Sequence, residues 1–154
     1  MMIGISKVDI TPPIGIRMDG YTKRSSASTD ILDKLFAKSV SMQMRDEVVT
    51  VTSLDLLGVN PYWQESVNAL GSVVLTATHT HSGPMICNKM LNWGIECNDV
   101  ERNYVEMVKS GIRRSINNAV HNQFSINNIS VGRIGIGDIC SDRDNPGKNI
   151  DVYA

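Results

Sequence analysis

Two of the chain's three histidines, His79 and His81, stand two residues apart in the run Val73-Val74-Leu75-Thr76-Ala77-Thr78-His79-Thr80-His81-Ser82-Gly83-Pro84. The β-branched apolar start of this run predicts a strand from Val73 to Ala77, and Ser-Gly-Pro predicts the turn that follows. On an extended backbone the side-chain period is two, so both imidazoles would share a face. A strand that breaks into a glycine-containing loop positions side chains and leaves space for a ligand. Neutral imidazole is the commonest metal ligand, and hydrolytic zinc takes about three protein ligands and one open position for water. One His-x-His pair therefore supplies part of such a site. The spacing suits equally well two polar residues that cap a strand end. Cys87 follows closely and offers a soft donor, against the plainer reading of a partly buried, reduced thiol.

The elements that must hold this pair read as follows. Ile3 to Ile10 alternates and predicts a first strand, stopped by Thr11-Pro12-Pro13. Residues 14–29 carry Gly15, Gly20 and several serines and read as a loop. Leu35 to Met42 is a second strand, and Val48 to Leu54 a third, apolar and β-branched enough to suggest burial on both faces. Pro61 to Leu70 is a short helix. Asn98 offers a helix cap, and Asp99 and Glu101 suit the positive end of a helix dipole. Val100, Tyr104, Val108, Ile112, Ile116 and Ala119 then recur at helical spacing, which predicts a long amphipathic helix from Asp99 to Asn122. Gly111 weakens it by about 1 kcal/mol. Strands are expected from Ile129 to Ile136 and from Ile150 to Tyr153, around a polar loop. The order β-β-β-α-β-α-β predicts an α/β layer fold in a single domain over residues 1–154.

Composition narrows the function. The net charge of -1 leaves no basic field to displace counterions from phosphates, which argues against nucleic acid. Lys109, Arg113 and Arg114 read as a solvated helix face. No stretch of about 18 apolar residues predicts a membrane span. The N-terminus lacks the basic start and apolar core of an export signal, so a cytoplasmic location is expected. Three cysteines without a CxxC motif argue against a disulfide scaffold. His121, at the end of the long helix, reads as a residue favoured by the helix dipole.

Among families that use His-x-His, the amidohydrolase barrels need eight βα units and about 250 residues. The metallo-β-lactamase pattern continues into Asp-His, where this chain has Ser82-Gly83-Pro84. A third pattern fits. Val8-Asp9-Ile10-Thr11-Pro12-Pro13-Ile14-Gly15, Gly20-Tyr21, Ser53-Leu54-Asp55-Leu56 and Thr76-Ala77-Thr78-His79-Thr80-His81-Ser82-Gly83-Pro84 occur in one order with regular gaps. This series resembles the N-terminal domain of the neutral/alkaline non-lysosomal ceramidase family. The long helix, the Val131-Gly132-Arg133 strand and the Asn145-Pro146-Gly147 loop extend the likeness over most of the chain.

The resemblance implies a layered α/β sandwich, a mixed sheet flanked by helices, amounting to about half of an α-β-β-α catalytic domain. It implies zinc-dependent hydrolysis of an N-acyl amide or lipid-like small molecule. His79 would be a zinc ligand, and His81 would hold substrate or the developing oxyanion. Gly20 and Tyr21 would lie near the pocket, and Arg143 near substrate. Asp55 would either orient a histidine or cap a loop. The family completes its zinc site with a His, a Glu and a Tyr further downstream, so residues 1–154 are expected to be catalytically incomplete alone. Half of such a sandwich exposes an apolar sheet face, which predicts a homo-oligomer or a complementing C-terminal polypeptide. The competing expectation is a non-catalytic binding or assembly module that keeps the fold.

Overall fold

The structure is a computed structural model that describes residues 1–67, 71–86, 96–135, 144–145 and 151–153. Its centre is a five-stranded mixed sheet in the order β4-β3-β2-β1-β5. The strands are β1 (Met2–Asp9), β2 (Phe36–Met44), β3 (Glu47–Leu54), β4 (Ser72–Ala77) and β5 (Phe124–Ser125). Strands β1, β2 and β3 run antiparallel in sequence. The β2–β3 turn is tight because Arg45 adopts φ 55°. β4 then returns parallel to β3, with Leu54 opposite Ala77 as the last pair. A short helix, α1 (Tyr62–Ser66), lies in that crossover with Pro61 as its N-cap. The rest of the expected Pro61–Leu70 helix includes residues 68–70, which lie outside the described residues. β5 is only two residues long, too short for a sequence pattern, and pairs with the start of β1. β6 (Arg133–Gly135) and β7 (Asp151–Tyr153) form a separate antiparallel pair. The expected strand from Ile129 narrows to β6. Ile129 and Val131 stand exposed, and among the described residues neither belongs to a strand.

The long helix α2 (Asp99–His121) covers one face of the sheet. It starts where the sequence predicts, because Asn98 and Glu101 form a reciprocal capping box. Asn98 Oδ1 accepts from the Glu101 amide at 3.0 Å, and Glu101 Oε2 from the Asn98 amide at 2.9 Å. Tyr104, Val105, Val108, Ile112, Ile116 and Ala119 are buried against the sheet, and the Tyr104 hydroxyl donates to the Ile10 carbonyl at 2.9 Å. Burial raises the Tyr104 phenol well above its ordinary pKa. One member of the predicted stripe is displaced: Val100 is exposed, and Glu101 takes the buried first-turn position. Two glycines allow close packing. A Cβ on Gly111 would come within 2.6 Å of Ile10 Cγ2, and one on Gly4 within 1.8 Å of the Ala119 carbonyl oxygen.

Between helix and sheet lie small hydroxyls. Ser39 Oγ is 2.8 Å from both Thr52 Oγ1 and Ser115 Oγ, and Ser115 Oγ donates to the Ala37 carbonyl at 3.2 Å. The expectation that β3 is buried on both faces is corrected. Val48, Thr50, Thr52 and Leu54 are buried, whereas Val49 is exposed and Val51 and Ser53 are half-buried. The reason is that α2 packs on one face only. The opposite face carries Ile5 and Met44, more than 60% exposed at 62% and 63%, together with exposed Val74.

Cys97 is disulfide-bonded, so the chain holds a disulfide although the cysteine pattern argued against a disulfide scaffold. An odd count is compatible with one bridge and one thiol. Cys87, considered above as a soft metal ligand, and Cys140 lie outside the described residues. Among the described residues, no helix is long and apolar enough to cross a membrane.

Candidate functional site

β3 and β4 end side by side, and the segments after them stay joined. The Thr78 amide donates to the Leu54 carbonyl at 2.9 Å and the Thr80 amide to the Leu56 carbonyl at 3.3 Å. β4 has ended at Ala77, so the His pair lies in a loop beyond the strand. The extended-strand argument for a shared face therefore fails. His79 turns into the left-handed region, φ 59°, where a residue other than glycine costs of order 1–3 kcal/mol unless its surroundings hold it there. The two imidazoles nonetheless meet edge to face, with centroids 5.1 Å apart.

His79 is held through one ring nitrogen. Its Nδ1 lies 2.8 Å from the Leu57 carbonyl oxygen. A carbonyl only accepts, so Nδ1 carries a proton, and in the neutral ring Nε2 keeps its lone pair. A backbone carbonyl on the far nitrogen is a usual way to orient a metal-binding imidazole. Asp55 does not serve His79 in this way. Its Oδ2 accepts from the Phe36 amide at 3.0 Å, and its Oδ1 from Lys38 Nζ at 3.1 Å, so it caps the start of β2.

His81 is enclosed by the loop after β1. Gly20 adopts φ 99° and lies against it. A Cβ on Gly20 would sit 2.7–2.9 Å from His81 Cγ, Cβ and Cα, so both the backbone angle and the contact require glycine. The Tyr21 ring meets the His81 ring edge to face at 5.0 Å. Thus His79, His81, Gly20 and Tyr21, picked from the sequence, come together. Arg143 lies outside the described residues.

Sequence reasoning did not pick out three further contributors. Arg24 Nη1 donates to the carbonyls of Asp19 and His81 at 2.8 and 3.0 Å. Its guanidinium lies 4.8 Å over the Tyr21 ring. Asp19 accepts from the Gly20 amide through Oδ1, while its Oδ2 is buried without a partner among the described residues. The Leu57 carbonyl has no side-chain signal by which it could be found. For Arg24 the signal was its place three residues after Tyr21, in a segment read only as a loop.

The two loops are laced together. The Asp19 amide donates to the Gly83 carbonyl at 3.0 Å and the Met85 amide to the Arg17 carbonyl at 2.7 Å, on either side of a Met18–Pro84 bridge. Arg17 in turn is anchored on α2. Its Nη2 donates to Glu101 Oε2 at 2.6 Å and to the Glu96 carbonyl at 2.7 Å, while its Nε pairs with Glu101 Oε1. Glu101 is fully buried. The guanidinium, more than burial opposes it, holds the Glu101 carboxyl below the usual carboxylate range, and the Asn98 amide adds to this. Arg17 is raised correspondingly.

A cleft of about 350 Å³ is lined by Pro12, Met18, Ile31, Leu35, Thr80 and Ser82 among others, but by neither imidazole. Among the described residues no group of three His, Cys, Asp or Glu side chains could hold a metal ion. What the arrangement offers chemically is one open imidazole nitrogen, a second imidazole beside it, and an aromatic ring at its edge.

The model of the N-terminal part of the neutral/alkaline non-lysosomal ceramidases matches residues 1–146. No curated protein sequence matches the chain. Among solved structures, the neutral ceramidase of Pseudomonas aeruginosa is similar with a TM-score of 0.68 and 23% identity, over 79% of this chain and 22% of that one. A ceramidase solved in complex with C2 is similar with a TM-score of 0.70 and 21% identity, over 88% of this chain and 23% of that one. The chain thus spans less than a quarter of the length of either structure. At these identities the structures show a shared fold. The match over residues 1–146 places the chain in the neutral/alkaline non-lysosomal ceramidase family, as its N-terminal domain.

Proposed function

We propose that this chain contributes one wall of the active site of a zinc-dependent amide hydrolase whose substrate is an N-acyl amide of lipid-like character. The observation that carries the reading is the state of His79: a strained backbone angle, Nδ1 fixed on the Leu57 carbonyl, and Nε2 left open. His79 Nε2 fits a zinc ligand. The remaining donors must come from beyond the described residues, because these supply no cluster of three. When bound, zinc polarises a carbonyl and lowers the pKa of a bound water.

The chain's own residues would do the following. His81, packed between His79 and Tyr21, presents an imidazole N–H to the acyl oxygen as negative charge develops on it; such a preorganised donor is worth about 3–4 kcal/mol in comparable sites. Gly20 leaves space for His81 to sit in place, and Tyr21 shields one edge of it. Arg143 would bind substrate from outside the described residues.

Zinc titration of the full chain tests this. The chain alone, which offers one ligand, is expected to bind zinc weakly and to turn over no N-acyl amide; tight binding is expected once a complementing polypeptide supplies the other ligands, and His79→Ala abolishes it. Tight stoichiometric zinc with turnover by residues 1–154 alone would overturn the claim of incompleteness. In a reconstituted enzyme, function unchanged by His79→Ala would instead favour the binding-module reading.

The partner follows from the exposed sheet face. Ile5, Met44, Val49 and Val74 stand there uncovered, and contiguous apolar surface of this kind marks contact with other polypeptide. A second copy of the chain or a complementing polypeptide is the proposed cover.

A further inference from the structure

We infer that Arg24 is a positioning residue for His81: it fixes both the backbone and the ring of that histidine without being required to touch substrate. Two independent contacts carry the inference. Nη1 donates to the His81 carbonyl at 3.0 Å and to the Asp19 carbonyl at 2.8 Å, so one guanidinium nitrogen ties the loop after β1 to the loop after β4. The Cζ of the same guanidinium lies over the Tyr21 ring, 4.8 Å from its centre, and Tyr21 meets the His81 ring edge to face at 5.0 Å. Backbone and ring are therefore held from one side chain by two routes.

The geometry explains why a pin is needed. His81 is followed at once by Ser82-Gly83-Pro84, and Gly20 packs its bare backbone against the His81 Cα, Cβ and Cγ. The Asp19–Gly83 bond and the Met18–Pro84 bridge fix the chain two and three residues beyond His81, but not His81 itself. Among the described residues, the His81 carbonyl has one donor, Arg24. A planar, always-charged fork can donate and stack at once, and a lysine cannot. A cation over an aromatic face is attracted by the ring quadrupole, which biases the Tyr21 ring towards one rotamer. The inference deepens the reading of His81 as the group beside the reacting carbonyl and rests on it for its functional meaning.

The chain's three histidines make the test direct. Protein labelled with ring-¹³C,¹⁵N histidine gives signals from His79, His81 and His121 alone, and His121, at the end of α2 with Nδ1 on the Asn117 carbonyl, is the internal control. The spectra are recorded without metal, so the result stands whether or not the zinc reading survives its own titration. Tyr21→Leu removes the ring current and calibrates the His81 shift. Arg24→Gln is expected to move the His81 ring protons in the same direction and to broaden them, with His121 and the α2 amides unmoved. Arg24→Lys, which keeps one donor but no plane, recovers only part of the change. An unmoved His81 in Arg24→Gln overturns the inference, as does an unmoved His81 in Tyr21→Leu, because the ring contact would then be absent in solution. Should Arg24→Gln disturb His121 and the α2 amides, it has unfolded and Arg24→Lys decides: wild-type His81 signals in that variant overturn the inference, and a His81-only shift supports it.

Discussion

His79 has φ 59° and stands exposed with one nitrogen on a carbonyl and the other open. The left-handed region is several-fold enriched in Asn, Asp and His among residues other than glycine, and closed to β-branched side chains except under strain. The strain and the function can therefore be separated by substitution. His79→Asn keeps a residue that tolerates the angle, and its stability should stay within about 0.5 kcal/mol of wild type in urea denaturation. His79→Val should lose about 1–2 kcal/mol. Both should fail to bind zinc in the titration described above. A stable Val variant would mean that the turn at residue 79 relaxes freely and does not aim the ring.

The elements act on the site through their ends. Arg17 and Glu101 join the loop that encloses His81 to the first turn of α2. The folded-state pKa of Glu101 lies below its usual 4.5, chiefly through Arg17. A depressed carboxyl contributes stability that is complete above the unfolded-state value and is lost as pH falls through the folded one. Glu101→Gln keeps an oxygen for the Asn98 amide and removes the charge. It should cost about 2 kcal/mol at pH 7, at the low end for a buried pair because Arg17 is partly exposed. The deficit should shrink as pH falls below about 4.5 in urea titrations of the two proteins side by side. Asp9 adds to the same acid limb, held down to about 2 first by the Thr11 hydroxyl, then by the Thr11 amide and Lys34. Gly111 gives the opposite of what helix propensity alone predicts. Gly111→Ala would gain about 1 kcal/mol of propensity, but its Cβ would meet Ile10 Cγ2 at 2.6 Å. Ile10 is fully buried and stiff at χ1. The net expectation is a loss of about 1 kcal/mol in thermal unfolding.

At the scale of the whole molecule, one sheet has one covered face. Exposed Ile5, Met44, Val49 and Val74 on the other face should make the isolated chain self-associate or bind a complementing polypeptide. Sedimentation over a range of concentrations should show association that Ile5→Lys and Val74→Lys weaken. Each substitution lies at an exposed position, so the stability of the fold should change by only about 0.5 kcal/mol. A soluble monomer at high concentration would count against both covers.

The sequence by itself determined the elements whose cause is local. The capping box of Asn98 and Glu101 and the 3.6-residue stripe from Tyr104 to Ala119 set α2 within a residue of its observed ends, because each signal is read within a few turns of one helix. The strand runs of β1 to β4 and the family likeness at His79, His81, Gly20 and Tyr21 were legible for the same reason. Only the tertiary structure decided what depends on partners far apart in the chain. Val48 to Leu54 is buried on one face because α2 covers just one side, which no pattern within that strand records. Glu101 is buried in place of Val100 because Arg17, 84 residues away, neutralises it. Asp55 was weighed as a loop cap or a partner of histidine; Lys38 and the Phe36 amide claim it, and the Leu57 carbonyl takes His79. The imidazoles meet through a left-handed turn rather than along a strand. A backbone carbonyl looks the same at every residue in a sequence, and only folding decides which one a side chain reaches.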